Sequence, residues 1–114
     1  MVKFTILLRR RPGMTHAEFV AHHRERHAPL FMSVEAVRGN VRRYVQQHVV
    51  AVDLPGMPGP AFDGVTELWF DDVEGIARVF QDPEYLAVIR PDEELFCDMQ
   101  GCEFLVTDEN IVHV

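Results

Sequence analysis

The order of strand-like and helix-like segments limits the fold more than any other feature of this chain. Four apolar, β-branched segments and two helical segments follow the order β-α-β-β-α-β. The first three strand segments are residues 2–8, 41–52 and 65–70, and residues 102–114 form the fourth strand and a tail. Two β-α-β halves in this order form a split unit around one antiparallel sheet. We therefore predict an α+β ferredoxin-like fold with a four-stranded antiparallel sheet and helices on one face, as a single domain over residues 1–114.

Local signals mark the first predicted helix. Thr15 stands three residues before Glu18, which is the capping box of a helix start. The helical pattern continues at least to Arg26. Pro29 is expected to break or bend the helix, because proline lacks the backbone N–H and its ring clashes with the preceding turn.

Proline and glycine residues also mark loops and breaks in the middle and toward the end of the chain. Residues 53–64 contain three prolines and three glycines, which predicts an unusually stiff loop. Residues 71–96 have a helical pattern that we expect to break near Pro83 and Pro91.

One face of the predicted sheet has no helix to cover it. On the third strand, Leu68 and Phe70 point to one face, and Glu67 and Trp69 point to the other. If Leu68 faces the helices, Trp69 lies on the uncovered face. An exposed apolar sheet face of this size requires a partner. We therefore predict a homodimer in which two sheets pack face to face.

Charge and hydropathy exclude several classes of function. The net charge is −7, from 18 acidic and 11 basic residues, whereas nucleic-acid binding requires a basic field. No segment approaches the ~18 apolar residues of a membrane span, and no secretory signal is recognised. We therefore expect a cytoplasmic protein with neither nucleic-acid nor membrane partners. In that compartment Cys97 and Cys102 are expected to be reduced, structural and dispensable for chemistry.

Three of the six histidines, His22, His23 and His27, stand within six positions. At about 100° per residue, His16, His23 and His27 share the inward stripe of a helix, whereas His22 points to solvent. Inward histidines are bonded within the core, bind a metal, or transfer protons near neutral pH. The spacing of His23 and His27 suits a metal, but Arg24 stands where H-E-x-x-H requires glutamate. The spacing alone leaves all three roles open.

Nearly the whole chain resembles the EthD family of the dimeric α/β-barrel superfamily. The segment LLRRRPGMTHAEFVAHHRERHAPL resembles the family's opening motif, in which a strand and an R-x-P-G-M-T/S turn precede E-x-F and H-A-P. The segments RYVQQH (43–48), FDGVTELWFDD (62–72) and RPDEELF (90–96) resemble its later blocks. The resemblance implies a dimer of ferredoxin-like subunits with a ligand in the cleft between helices and sheet.

The resemblance also implies roles for individual residues. His27 matches the histidine of H-A-P and is the catalytic candidate. Tyr44 matches an aromatic position that lines the cleft in isomerase-like relatives, and Asp92 matches the aspartate of D-x-x-x-F. His23 departs from the pattern, which has tryptophan at this position, and it either widens the pocket or adds a second titrating group. Two alternatives stay open, in which Tyr44 belongs to the core and Asp92 only caps a helix.

His48 and Leu68 are the remaining substrate-binding candidates, together with His23. His48 shares a strand face with Tyr44 and is expected to reach either the mouth of the cleft or solvent, and Leu68 lines the cleft if its face is the inner one.

Relatives in the superfamily include cofactor-independent lactone isomerases, polyketide cyclases, quinone-forming monooxygenases and haem-degrading enzymes, so the fold does not fix the reaction. We expect a small enzyme without cofactor or metal that acts on a hydrophobic, oxygenated ring compound of aromatic or polyketide type. His27 would move a proton next to a carbonyl group, Tyr44 would donate to the enolate oxygen, and Asp92 or a backbone carbonyl would fix the histidine tautomer. The alternatives are a non-catalytic binding or accessory protein of an oxidative pathway and a haem or metal protein.

Overall fold

The computed structural model describes residues 1–114, which form one sheet with helices packed against it. The strands are β1 (Val2–Leu8), β2 (Val41–His48), β3 (Gly64–Phe70) and β4 (Glu103–Thr107). The helices are α1 (His16–Ala21), α2 (Ala28–Met32), α3 (Glu35–Asn40), α4 (Val73–Phe80) and α5 (Arg90–Phe96). A first π-helical segment (His22–His27) joins α1 to α2, and a second one (Tyr85–Ile89) leads into α5.

The four strands lie in the order β2-β3-β1-β4, and every neighbouring pair is antiparallel. The register places Phe4 of β1 opposite Leu68 of β3 and Val106 of β4. Tyr44 of β2 lies opposite Leu68 from the other side. This topology is the α+β ferredoxin-like fold that the order of segments predicts.

The two faces of the sheet differ because side chains alternate along each strand. Phe4, Ile6 and Leu8 of β1 share the helix-facing core with Leu68 and Phe70 of β3. This placement confirms that Leu68 faces the helices and that Trp69 lies on the face without helices.

Charged and polar side chains surround Trp69 on the outer face of the sheet. Lys3 and Glu67 form an ion pair with 2.5 Å between Nζ and Oε2. Lys3 and Arg43 each lie over the Trp69 ring, at 5.4 Å and 4.6 Å from its centroid. The Trp69 indole N–H donates to Glu109 Oε1 at 2.6 Å. Trp69 is therefore only 8% exposed, although no helix covers it.

Proline acts differently at three positions. The predicted break near Pro83 is confirmed, because α4 ends at Phe80 and a new helical run begins at Pro83. The Asp82 side chain accepts hydrogen bonds there from the backbone N–H groups of Glu84 and Tyr85. Pro29 and Pro91 instead lie in the first turns of α2 and α5. Neither proline breaks its helix, since helical structure runs without a gap through residues 16–32 and 83–96. The predicted break at Pro91 is therefore wrong, and each proline directly follows a π-helical segment instead.

The ends of some elements also differ from the predictions. β2 ends at His48 rather than at residue 52, whereas β4 (Glu103–Thr107) is followed by a tail, as predicted. The short helix α3, which follows a turn at Ser33, was not predicted. No helix of the chain has the length and apolar character needed to cross a membrane.

Candidate functional site

Asp92 of α5 joins two histidines of the first π-helical segment. Its Oδ2 lies 2.8 Å from His27 Nδ1, and its Oδ1 lies 2.9 Å from His22 Nε2. All three side chains are only about one-tenth exposed. The alternative in which Asp92 caps α5 is wrong, since no side chain caps this helix and both carboxylate oxygens face the histidines.

The π-helical geometry explains how both histidines reach one carboxylate. In this geometry the backbone bonds run from residue i to i+5, as shown by the Ala28 N–H, which donates to the His23 carbonyl. His22 and His27 are five residues apart and therefore lie one turn apart on the same side. The prediction that His22 points to solvent is wrong, because it assumed the period of an α-helix.

His27 retains one free imidazole nitrogen. Its Nδ1 donates to the Asp92 carboxylate, so in the neutral ring Nε2 carries the lone pair. No protein group is hydrogen-bonded to this Nε2, and no buried polar side-chain atom of the chain lacks a partner. Nε2 therefore reaches solvent-accessible space. A carboxylate that fixes the histidine tautomer and an accessible Nε2 are the two requirements of a histidine base.

His23 is held at both ring nitrogens within the core. Its Nε2 lies 3.0 Å from Thr66 Oγ1, and its Nδ1 lies 3.0 Å from His48 Nε2. The ring is completely buried. Burial, with smaller contributions from His27, His48 and His22, lowers the pKa of His23 to about 3. His23 is therefore neutral near pH 7, and neither nitrogen is free to accept a proton from a substrate.

His48 occupies the edge of this arrangement, at the end of β2. Burial first, then the charges of Arg24 and His16, lower the pKa of its imidazole below the ordinary range. His48 is bonded to His23, and no hydrogen bond joins it to Asp92.

Tyr44 packs on the helix-facing side of β2, with its ring centroid 5.1 Å from that of Phe31. Its hydroxyl accepts a hydrogen bond from Gln46 Nε2 at 2.8 Å, and this amide also donates to the His23 carbonyl at 2.7 Å. Burial raises the pKa of Tyr44 to about 12, so the hydroxyl keeps its proton. No hydrogen bond joins Tyr44 directly to His27.

Phe96 forms the apolar centre of the histidine cluster. Its ring centroid lies 4.5 Å from that of His22, 5.0 Å from that of His27 and 5.7 Å from that of His23. The ring is 1% exposed. Phe96 therefore excludes water from one side of the Asp92–histidine contacts.

Phe96 also lines a cavity of about 60 Å³ between the sheet and α5. The wall is mainly apolar, with Ile6 and Leu8 of β1 and Phe104 of β4. None of the six side chains suggested by the sequence lines it, namely His23, His27, Tyr44, His48, Leu68 and Asp92. Leu68 is fully buried in the core instead.

The polar end of the cavity is a group of three residues that the sequence analysis missed. The Tyr85 hydroxyl donates to Glu93 Oε2 at 2.7 Å, and Arg90 Nε donates to Glu93 Oε1 at 3.1 Å. Burial raises the pKa of the Glu93 carboxyl above its usual range. The sequence offered one signal for this group, since Glu93 directly follows Asp92. Successive residues of a helix point about 100° apart, so a carboxylate next to Asp92 reaches a different site.

The size of this cavity limits its ligands. Drug-sized ligands occupy pockets of roughly 300–1,000 Å³, and a cavity of roughly 150 Å³ is known to take up benzene. The cavity of about 60 Å³ is therefore too small for an aromatic polyketide. No group of three or more histidine, cysteine, aspartate or glutamate side chains is arranged to hold a metal ion.

Comparison with known proteins agrees with the fold and identifies the family. The EthD domain matches residues 11–100, and the chain therefore belongs to the EthD family. No curated protein sequence matches the chain.

Solved structures with the same fold cover almost the whole chain. An ethyl tert-butyl ether (EthD) family protein from Bacillus halodurans is 23% identical, with a TM-score of 0.70 over 96% of this chain and 99% of its own. An EthD-like protein from Ralstonia eutropha is 17% identical, with a TM-score of 0.70 over 98% and 94%. A dimeric protein of unknown function and ferredoxin-like fold from Bacteroides fragilis is 14% identical, with a TM-score of 0.62 over 95% of each chain.

Proposed function

We propose that this protein is a cofactor-independent enzyme that transfers a proton next to a carbonyl group, with His27 as the general base. The observation that supports this proposal is the contact between Asp92 Oδ2 and His27 Nδ1, which leaves Nε2 accessible. A neutral imidazole with this tautomer accepts a proton at Nε2, and the carboxylate then stabilises the imidazolium.

Tyr44 is the residue that we propose as hydrogen-bond donor to the substrate. Its hydroxyl oxygen accepts from Gln46, and its own proton has no acceptor within the protein. Removal of a proton next to a carbonyl group places negative charge on the carbonyl oxygen. A phenol that stays protonated, as the raised pKa of Tyr44 ensures, stabilises that charge by hydrogen bonding.

The proposed substrate is a hydrophobic, oxygenated ring compound, as the resemblance to the superfamily of the polyketide cyclases and lactone isomerases implies. Such a molecule does not fit the cavity beside Phe96, so it would approach Nε2 of His27 from the solvent side. Phe31, whose ring centroid lies 6.1 Å from that of His27, is buried and packs against the imidazole from the core.

We also propose that the protein forms a homodimer through the outer face of the sheet. Leu7, Val45 and Val65 lie on this face beside Trp69, and no helix of the chain covers them. The Bacteroides fragilis structure of the same fold is described as dimeric. Packing of two such faces would remove the apolar side chains from water and pair the charged residues at the rim.

Deuterium exchange tests the chemistry without knowledge of the full reaction. Cyclic ketones, lactones and aromatic β-diketones are incubated with the protein in D₂O, and loss of the proton next to the carbonyl is followed by NMR. We expect exchange with at least one compound, and a rate reduced by ~10²–10⁴ in His27→Gln. His113→Gln, at an exposed position, is the matched control and should exchange at the wild-type rate.

Two outcomes would count against the proposal. Exchange at the wild-type rate in a folded His27→Gln variant would remove His27 as the base. Saturable ligand binding without exchange of any compound would assign the chain to the non-catalytic binding proteins.

A further inference from the structure

Cys97 and Cys102, five positions apart in the sequence, line the same cavity. Cys97 directly follows α5, and Cys102 precedes β4. The intervening turn is closed by the Gly101 N–H, which donates to the Asp98 carbonyl at 3.0 Å. The Cys102 thiol donates to the same carbonyl, with Sγ at 3.2 Å. Both cysteines line the cavity beside Phe96, and neither is in a disulfide.

The two thiols have different surroundings. Cys97 is 5% exposed and belongs to the hydrophobic core, whereas Cys102 is only partly buried. Both line the same cavity, and their influence on each other is the first cause of opposite shifts in the two thiol pKa values. It raises the pKa of Cys97, with burial adding to the effect, and it lowers the pKa of Cys102 to about 7, with help from the Arg9 backbone N–H. Cys102 is therefore the more acidic and the more exposed of the two thiols.

The size of the cavity limits which reagents reach the two thiols through it. A volume of about 60 Å³ admits water and solutes of a few heavy atoms, but not an aromatic ring. Its polar end carries Tyr85, Arg90 and Glu93, so a small solute that both donates and accepts hydrogen bonds finds partners there. Hydrogen peroxide has this size and this hydrogen-bonding capacity.

We propose that Cys97 and Cys102 are a peroxide-reactive thiol pair, in which Cys102 is oxidised first and Cys97 resolves the product. The Cys102 thiolate attacks one oxygen of hydrogen peroxide, so that an S–O bond forms, the O–O bond breaks and hydroxide leaves. The Cys97 sulfur then attacks the Cys102 sulfenic acid. An S–S bond forms, and the hydroxyl group departs as water with the Cys97 proton. Overall, two thiols are oxidised to one disulfide, and one peroxide is reduced to two waters.

This pair lies apart from the proposed proton-transfer site. Phe96 separates the cavity from His22, His23 and His27, and neither cysteine contacts Asp92 through a hydrogen bond. Oxidation of the thiols and proton transfer by His27 are therefore separable by experiment.

The test uses the reduced full-length protein and hydrogen peroxide. We expect wild type to lose both thiols in a thiol assay and two hydrogen atoms by intact mass, with peptide mapping placing the disulfide between Cys97 and Cys102. The rate should rise with pH through about 7, as Cys102 loses its proton. For each peroxide, the rate with the protein is divided by the rate with glutathione. This ratio should be larger for hydrogen peroxide than for cumene hydroperoxide, whose ring exceeds the cavity.

Two single variants separate the roles of the cysteines. Cys97→Ser should stop at the sulfenic acid, seen as one added oxygen atom by intact mass and placed on Cys102 by peptide mapping. Cys102→Ser should lose this reactivity, because the remaining thiol is buried and protonated. If either variant unfolds, peptide mapping of the oxidised wild-type protein tests the proposed disulfide instead. Thiols that react no faster than glutathione, or a disulfide found only between chains, would overturn the proposal.

Discussion

The carboxylate of Asp92 lies 2.8 Å from Nδ1 of His27, and this contact determines which nitrogen of the ring is available. The two residues are 65 positions apart in the sequence and meet only because α5 packs against the first π-helical segment. The second carboxylate oxygen is held by His22, so Asp92 has little freedom to rotate. Any role for His27 in proton transfer therefore depends on Asp92.

Asp92→Asn should disable the base while preserving the shape of the site. The asparagine amide can donate to Nδ1 of His27, which favours the tautomer with the proton on Nε2. We expect the deuterium-exchange rate to fall by ~10²–10⁴, as for His27→Gln. Nitrogen-15 NMR of the imidazole should show the change of tautomer. A variant with the wild-type tautomer and the wild-type exchange rate would remove Asp92 from the mechanism.

His23 should make the protein less stable in acid. The pKa of His23 is lowered from 6.5 to about 3 in the folded chain. Below pH 6.5 the unfolded chain therefore binds a proton at His23 that the folded chain does not bind. The free energy of unfolding should fall as pH decreases from about 6.5 toward 3, by up to ~1.4 kcal/mol per pH unit, and should not change on this account above pH 6.5.

Urea unfolding at several pH values checks this prediction. His23→Gln should lose part of the acid dependence, because glutamine does not titrate and can still bond Thr66. The exposed His113→Gln is the control and should keep the wild-type profile. Equal slopes in all three proteins would show that His23 takes up its proton normally in the folded state.

Phe96 should be a major source of stability for both sites. Its ring packs against three histidines and lines the cavity, so Phe96→Ala would enlarge that cavity and loosen the Asp92 contacts. We expect the free energy of unfolding to fall by about 3–5 kcal/mol, the usual cost for a buried phenylalanine. Leu95→Ala, at a neighbouring position that is 50% exposed, should lose much less. Similar losses in both variants would contradict the central position of Phe96.

Trp69→Glu tests the proposed dimer. The substitution would place a carboxylate among the apolar residues of the outer sheet face, beside Glu67 and Glu109. We expect it to dissociate or unfold the dimer, as measured by light scattering with size-exclusion chromatography. Leu95→Glu, on a helix, is the control and should keep the dimer. A wild-type protein of 13.1 kDa at micromolar concentration would refute the dimer itself.

The sequence predicts those features that depend on regular periods. The Thr15–Glu18 capping box is present, with both of its hydrogen bonds, because it involves only neighbouring residues. The opposite orientations of Leu68 and Trp69 follow from the alternation along a strand. The order of segments predicts the ferredoxin-like fold, because two β-α-β halves form a split unit around one antiparallel sheet.

The features that escaped prediction depend on tertiary packing. The π-helical period of His22–His27 has no signature in the sequence, and it rotates His22 from solvent toward Asp92. The Glu93 group requires Tyr85 and Arg90 to converge on one carboxyl from the same helical run. The polar side chains around Trp69 were visible in the sequence, but their cross-strand contacts were not.

His22→Ala provides the sharpest test of the π-helical arrangement. On an α-helical period His22 would face solvent, and its replacement would leave stability and activity unchanged. In the structure its side chain is 10% exposed and bonds Asp92 Oδ1, so alanine leaves a buried carboxylate oxygen without a partner. We expect the free energy of unfolding to fall by about 1–3 kcal/mol, and the exchange rate to fall less than in Asp92→Asn, because His27 keeps its own bond to Oδ2. Arg26→Ala, at an exposed position of the same segment, is the matched control. If urea unfolding gives equal stabilities for the two variants, His22 does not hold Asp92 in solution.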